Sequence, residues 1–332
     1  MRRREFIVLA GAVACAQVFW PLAVSAQRSE RACHLGVLMP LAETDLEAQE
    51  RLTALRRGLD ELGWTESRNL RIDYRWSAAA GDQLRTSAVE LVGLKPDVLV
   101  TSATAQAVTL QRVTRNIPVV MAQGIDPVGA GLAMSLARPG SNVTGFSQYE
   151  SALGGKWLEL LKRIAPHVMR VAVVFDPENP TSNKFLPLIA AAAPSFSIQL
   201  GQAAVRATAE IETAISSFAR ESDGGLIVLP GPLAATNRDF IIGLAARHKL
   251  PAIYGVRHYA VSGGLISYGI DNADLWHRTA SYVDRICNGE KPANLPIQLA
   301  TKFDLVINAK AAKALGLAIP QDLRATADEV IE

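Results

Sequence analysis

The sequence is poor in several things, and each shortage excludes a class of protein. Only 3 cysteines occur in 332 residues, so this is not a disulfide-rich scaffold. Aromatics are 6% of the chain. Lys and Arg (34) nearly balance Asp and Glu (32), with no basic stripe to track a phosphate backbone, so nucleic-acid binding has no electrostatic support. The histidines at 34, 167, 248, 258 and 277 are scattered without metal-ligand spacing. There is no Gly-x-Gly-x-x-Gly after a strand, no P-loop, no His-Glu-x-x-His and no Gly-x-Ser-x-Gly, so neither an enzyme nor a bound cofactor is expected. Beyond the N-terminus no apolar run is long enough to span a bilayer.

The one long apolar run opens the chain, in MRRREFIVLAGAVACAQVFWPLAVSAQ. Three arginines precede it and small residues at Val24, Ser25 and Ala26 end it, the pattern of an export signal over residues 1–26 cut after Ala26. Arg3, Arg4 and Phe6 fit the core of a twin-arginine signal, with the general secretory route as the other option. A retained anchor and a lipoprotein cut before Cys15 fit less well, because small residues close the run and Ala12 and Val13 suit a lipobox poorly. The segment carries three arginines and one glutamate, which leaves 31 residues of each sign in the exported chain. Export to the periplasm would place Cys33 and Cys287 in an oxidising compartment, where they are either paired or two separate buried thiols.

From residue 34 apolar strands alternate with amphipathic helices: HLGVLM, a helix with Leu52, Leu55, Leu59 and Leu62 at helical spacing, LRIDYRW, a helix from about Asp82, DVLVTS, a helix through Ala105 to Val113, and IPVVMA. The same grammar repeats from GKWLELLKRIA through RVAVVF, GGLIVL and LPAIYG, with the two units meeting near NVTGFS at residues 142–147. The expectation is α/β: two lobes with parallel-rich sheets. The terminal elements GGLISYGI, DLWHRTASYVDRICNG and KFDLVINAKAAKALGL are too few for a third core and must join existing sheets.

The segments GLDELGW, IPVVMAQGIDPVGAGLAMSLARPGSNVTGFS, GGLISYG and KPANLPIQLATKFDLVINAKAAKALGLAIP, taken in order, resemble the substrate-binding components of ABC transporters. The nearer likeness is to the subfamily with tryptophan- and tyrosine-type binding proteins. The resemblance implies a type I periplasmic-binding fold, two Rossmann-like lobes joined by a three-crossover hinge. It implies a first lobe of residues 33–145 plus about 270–320, and a second of 146–269. It further implies an extracytoplasmic importer component, a monomer that takes a small molecule, such as an aromatic amino acid or related carboxylate, into an interlobe cleft. Its partner would be ABC permease subunits in the inner membrane. A periplasmic sensor presenting its ligand to a receptor or kinase is the alternative.

Ligands in open α/β sheets lie beyond the carboxyl ends of strands. In the first lobe this points to the rim Pro40–Thr44, and to Ser102 and Thr104, whose helix start offers free N–H groups to a carboxylate or merely caps itself. It also points to Asp126, which either caps a following helix or faces an ammonium group, with Gly129 and Gly131 allowing close approach, and to Phe146 or Tyr149 as a stacking wall. The second-lobe counterparts are Asn179, Thr181 and Ser182 in DPENPTSNK, then Asn237 and Tyr254, with Arg257 and His258 as solvated residues. Asp271, just past a strand, would pair with a ligand ammonium or cap the next helix.

Overall fold

A computed structural model describes residues 32–77, 81–148 and 152–332, with the backbone alone at 180 and 181. The expected export signal lies outside the described residues. Among the described residues no helix is long and apolar enough to cross a membrane.

The first lobe runs β1 (Cys33–Met39), α1 (Leu46–Glu61), β2 (Leu70–Trp76), α2 (Asp82–Gly93), β3 (Val98–Thr101), α3 (Thr104–Val113), β4 (Val119–Gly124) and β5 (Val143–Ser147). The second begins with α4 (Leu153–Ile164), β6 (Arg170–Phe175), α5 (Pro180–Ala192), β7 (Gln199–Ala204) and α6 (Thr208–Phe218). It continues with β8 (Gly224–Val228), α7 (Pro232–Thr236), α8 (Arg238–Arg247), β9 (Ala252–Tyr254), α9 (Arg257–Val261) and β10 (Ile266–Ile270). The chain then returns to the first lobe as α10 (Asn272–Cys287) and β11 (Gln298–Leu299). It ends in the second as β12 (Phe303–Asn308), α11 (Ala309–Ala314), α12 (Gln321–Thr326) and β13 (Glu329–Ile331).

The first sheet has the order β11-β5-β4-β3-β1-β2 and the second β13-β12-β10-β9-β8-β6-β7. Every pairing is parallel except β10 with β12. A parallel strand covered on both faces reads as a continuous apolar run, which is why VLVT and VVMAQG are buried along their whole length. Alternate residues feed opposite cores. Leu35, Val37 and Val98 pack with Leu52, Leu55 and Trp276 on one face, and Leu38, Leu99 and Met121 with Leu91 and Leu110 on the other. The leucine stripe of α1 ends one turn earlier than its spacing suggests: Leu59 is fully buried and Leu62 is exposed.

The terminal segment departs from the expected division. Residues 303–320 were assigned above to the first lobe, yet β12 pairs antiparallel with β10, from Ile266 opposite Ile307 to Ile270 opposite Phe303. The open edge of β10 gives the apolar Leu305, Val306 and Ile307 a place to bury, and Leu305, Ile307 and Ala312 join the second core. At the other boundary, Val143–Ser147 is a full strand of the first sheet and not only a crossover.

The chain thus passes between the lobes three times: after β5, between β10 and α10, and between β11 and β12. The last two passages are bonded together. The Asp271 N–H donates to the Lys302 carbonyl at 3.1 Å, and Lys302 Nζ lies 2.7 Å from Asp271 Oδ2. The Asp271 Oδ1 also caps α10 by accepting from the Asp274 N–H at 3.0 Å. Burial pushes the Asp271 carboxyl up, but Lys302 and the helix N–H groups outweigh it and hold it below the usual carboxylate range.

Cys33, at the start of β1, is bonded to Cys287, the last residue of α10, across a sequence separation of 254. Both are buried, at the end of the sheet opposite the strand carboxyl ends. Closing so long a loop restricts the unfolded chain strongly. Replacing both with alanine is expected to lower folding stability by roughly 2–5 kcal/mol, read as a lower denaturant midpoint.

The crossover pair yields a second expectation. A carboxyl with a depressed folded-state pKa stabilises above the ordinary carboxylate range and loses that contribution as pH falls through it. Asp271→Asn keeps a good cap and removes the charge. With Lys302 61% exposed, the loss at pH 7 is about 1 kcal/mol or less. The gap from wild type should shrink toward zero below about pH 4, measured by chemical denaturation across pH.

Candidate functional site

The carboxyl ends of β1, β3 and β4 in the first lobe face those of β6, β8 and β9 in the second, and side chains bridge the two. Glu50 on α1 pairs with His258 on α9 at 3.1 Å. Asp126, after β4, pairs with Lys184 on α5 at 2.6 Å.

Between these pairs lies a buried polar cluster that starts on α1. Asp45 caps the helix, accepting from the Glu47 N–H at 2.8 Å and from the Ala48 N–H. That fixes the first turn and sets Glu47 and Arg51 inward, 6% and 9% exposed, as an i,i+4 ion pair through Arg51 Nη2 and Glu47 Oε1. Arg51 Nη1 donates to Ser102 Oγ at 3.2 Å, and Ser102 Oγ donates to Gln123 Oε1 at 2.9 Å. Gln106 Oε1 closes the turn after β3, accepting from Thr101 Oγ1 at 2.7 Å and from the Ser102 and Ala103 N–H groups. Asn272, at the start of α10, donates to Glu47 Oε1 at 3.3 Å. Burial pushes the Glu47 carboxyl up, but Arg51, His258 and Arg238 outweigh it and hold it ionised, below the usual range.

This network is incompletely paired. Arg51 Nε, Gln106 Nε2 and Gln123 Nε2 are buried without a hydrogen-bond partner. In the second lobe Ser182 Oγ, His258 Nδ1 and the Tyr259 hydroxyl are buried and also without a hydrogen-bond partner. Most buried polar groups in folded proteins are paired, so the unmet donors of this cluster single it out as the candidate site.

The residues expected from sequence divide into two groups. Ser102 is central to the cluster, and Ser182, at the start of α5 in the second lobe, is buried with its N–H on the Asn179 carbonyl at 3.0 Å. Asn179 donates to the Pro230 carbonyl at 3.2 Å, tying the PENPTS turn to the loop after β8. Thr104 braces the cluster from behind: its hydroxyl donates to the Ile125 carbonyl at 2.9 Å and accepts the Ile125 N–H at 2.7 Å. The side chain of Thr181, and Tyr149, lie outside the described residues. Asp126 caps a turn and not a helix, at φ 47°, with Oδ1 accepting the Gly129 N–H at 2.9 Å. A Cβ on Gly129 would stand 2.2 Å from the Asp126 carboxylate, so a side chain there would have to displace that carboxylate. The ammonium facing Asp126 is that of Lys184.

The remaining expectations are corrected by packing. Phe146 is 1% exposed, its ring against Tyr282 at 5.0 Å and beneath the Arg278 guanidinium at 4.9 Å, so it belongs to the core. Tyr254 is buried and stacked on Tyr259 at 4.6 Å, and burial pushes both phenols up. Asn237 donates to the Leu233 carbonyl and accepts from Thr208, fastening α7 to α6. Asp271 meets Lys302 and caps α10, the second of its two expected roles. His258, expected to be solvated, is 13% exposed and bridges the lobes.

Sequence reasoning missed Glu47, Arg51, Gln106, Gln123 and Asn272. A signal was present for Arg51: it falls on the stripe Ala48, Leu52, Leu55 and Leu59, where a solvated face would not put it.

Comparison with known proteins agrees with this architecture. Residues 37–331 match the family described as ABC transporter substrate binding protein. A tyrosine-binding protein of Clostridioides difficile is 26% identical over 261 residues, 79% of this chain and 75% of that one. A conserved domain protein from Vibrio cholerae superposes with a TM-score of 0.83 at 31% identity, over 90% of this chain and all of the other. An ABC domain from Streptococcus pneumoniae in complex with L-Trp also gives 0.83, at 27% identity, over 90% of this chain and 100% of its own. With two parallel-rich sheets, three crossovers and a family match over most of its length, the chain has the type I periplasmic-binding fold and belongs to the ABC transporter substrate binding proteins.

Proposed function

We propose that the protein is the extracytoplasmic solute-capturing component of an ABC importer, and that it holds a small molecule, an aromatic amino acid, between its lobes. The observation that carries this is the buried polar cluster on α1 and at the ends of β3 and β4, with unspent donors and a second set of unspent groups facing it. The relatives named for tyrosine binding and bound to L-Trp support the ligand class.

In this reading residues 33–147 with 272–300 form one binding lobe, and 152–270 with 302–332 the other. Ser102, Ser182 and Asn179 stand on opposite lips. The lobes rotate about the three crossovers, bury the solute and exclude water, which strengthens each hydrogen bond inside. The Glu50–His258 and Asp126–Lys184 pairs close over the two sides. The closed monomer then docks on a membrane permease. Binding and release, without chemical change of the solute, are the whole activity.

Thermal unfolding of the chain from Gln27 onward, stripped of carried-over solute by oxidised unfolding and refolding, tests this. L-Tyrosine or L-tryptophan at a hundredfold over its Kd should stabilise the fold by about 2.7 kcal/mol. Ser102→Ala should weaken that binding about tenfold, since it breaks the link between Arg51 and Gln123. A panel in which sugars or nucleosides shift the midpoint and no aromatic amino acid does would sink the ligand assignment.

A further inference from the structure

The cluster's unpaired atoms share one chemical character. The amide and hydroxyl acceptors are spent: Gln106 Oε1 takes two backbone N–H groups and the Thr101 hydroxyl, Gln123 Oε1 takes Ser102, and Ser102 Oγ takes Arg51, while on the Glu47 carboxylate Arg51 and Asn272 both use Oε1. What remains unspent on Arg51, Gln106 and Gln123 is nitrogen donors alone. A guest that satisfies them must bring acceptors. Arg51 and Gln123 flank Ser102 from either side, so a two-oxygen acceptor suits the pair.

Charge narrows the guest further. Glu47 and Arg51 cancel each other in a region with almost no solvent contact. Neighbouring charges are matched or solvated: Arg238 sits on Asp239 at 3.3 Å, and Glu50, beside His258, is 60% exposed. A guest bearing only a carboxylate would draw Arg51 away and leave Glu47 a buried, unmatched charge, which is strongly unfavourable. A guest bearing only an ammonium would leave Arg51 in the same position. A guest carrying both charges on adjacent atoms keeps the sum at zero and gives each protein charge a partner.

We infer that the Glu47–Arg51 pair is the charged half of the ligand site and selects zwitterions: an α-carboxylate accepts from Arg51 Nε and Gln123 Nε2, and the α-ammonium on the same carbon donates to Glu47. This rests on the amino-acid reading above. It moves ammonium recognition from Asp271, which is committed to Lys302, to the first turn of α1.

Calorimetric titration of the refolded protein with matched analogues tests it. L-Tryptophan is compared with tryptamine, which lacks the carboxylate, and indole-3-propionate, which lacks the ammonium; L-tyrosine is compared with tyramine and 3-(4-hydroxyphenyl)propionate. Wild type should bind each single-charge analogue at least about a hundredfold more weakly than the parent, because a buried charge is left unpaired. In Glu47→Gln, L-tryptophan should lose most of its affinity while indole-3-propionate binds no worse than to wild type. In Arg51→Gln, tryptamine should behave in that same way. Wild type binding the parent and both analogues within about threefold of each other would overturn the inference, and needs no variant to fold. So would folded variants that bind the parents as wild type does, and in both cases the amino-acid reading would stand. Binding of an uncharged solute with no response to either amino acid would overturn the amino-acid reading and this inference together.

Discussion

The structure depends on how closely α10 approaches α1. Gly58 is where they meet: a Cβ there would come within 2.6 Å of the His277 carbonyl and 2.8 Å of the Ala280 methyl. The two helices run side by side in the same direction. Glu61 bonds His277 at 2.8 Å, and the Trp64 indole bonds Asp284 at 3.0 Å. At the far end Cys287 is bonded to Cys33. Because α10 follows the second crossover, this packing is what brings the chain back to the first lobe. It also aligns the helix starts, so that Asn272 meets Glu47 at the interlobe junction. A larger residue at position 58 would push apart the surfaces that set this alignment.

The lobes are bound to themselves far better than to each other. Each sheet has apolar clusters on both faces, whereas the side-chain bridges between lobes are polar. Exposed ion pairs contribute about 0–1 kcal/mol each. Lys184 and Glu50 are 45% and 60% exposed, so these bridges supply little net energy and a preferred register. Under the proposed motion, closure would then draw on what a solute adds, the pairing of buried polar groups that the protein alone leaves unmet.

Much of this was legible in the sequence. The βαβ alternation, the first-lobe strands and RVAVVF emerge because parallel strands and amphipathic helices leave local periodic signatures. The edge strand β12 was misplaced because periodicity says nothing about which sheet supplies a neighbour. Ser102 and Ser182 could be placed at strand ends from sequence, because loops that follow apolar strands are visible there; both are buried. Asp271 was assigned to ligand ammonium because its partner, Lys302, is 31 positions away and meets it only through the third crossover. Phe146 and Tyr254 look the same in sequence whether they line a junction or a core, and here the core took them. Arg51 and Glu47 were not singled out, because i,i+4 pairs of opposite charge usually lie on a solvated helix face.

That last case shows why the most informative residues were the hardest to read. A donor left unpaired in a protein interior costs about 1–3 kcal/mol. An apolar pair of similar volume at positions 47 and 51 would remove both the buried charges and the orphaned Nε, at no loss to the leucine stripe around them. Stability alone therefore gives α1 no reason to carry Glu47 and Arg51. On the proposed reading, a local rule broken at the end of a sheet, among other broken rules, is where binding rather than folding would set the sequence. The same logic separates Arg51 from Asp271: both are charges at the junction, but Asp271 is fully met by Lys302 and the α10 cap, and only Arg51 retains an unmet donor.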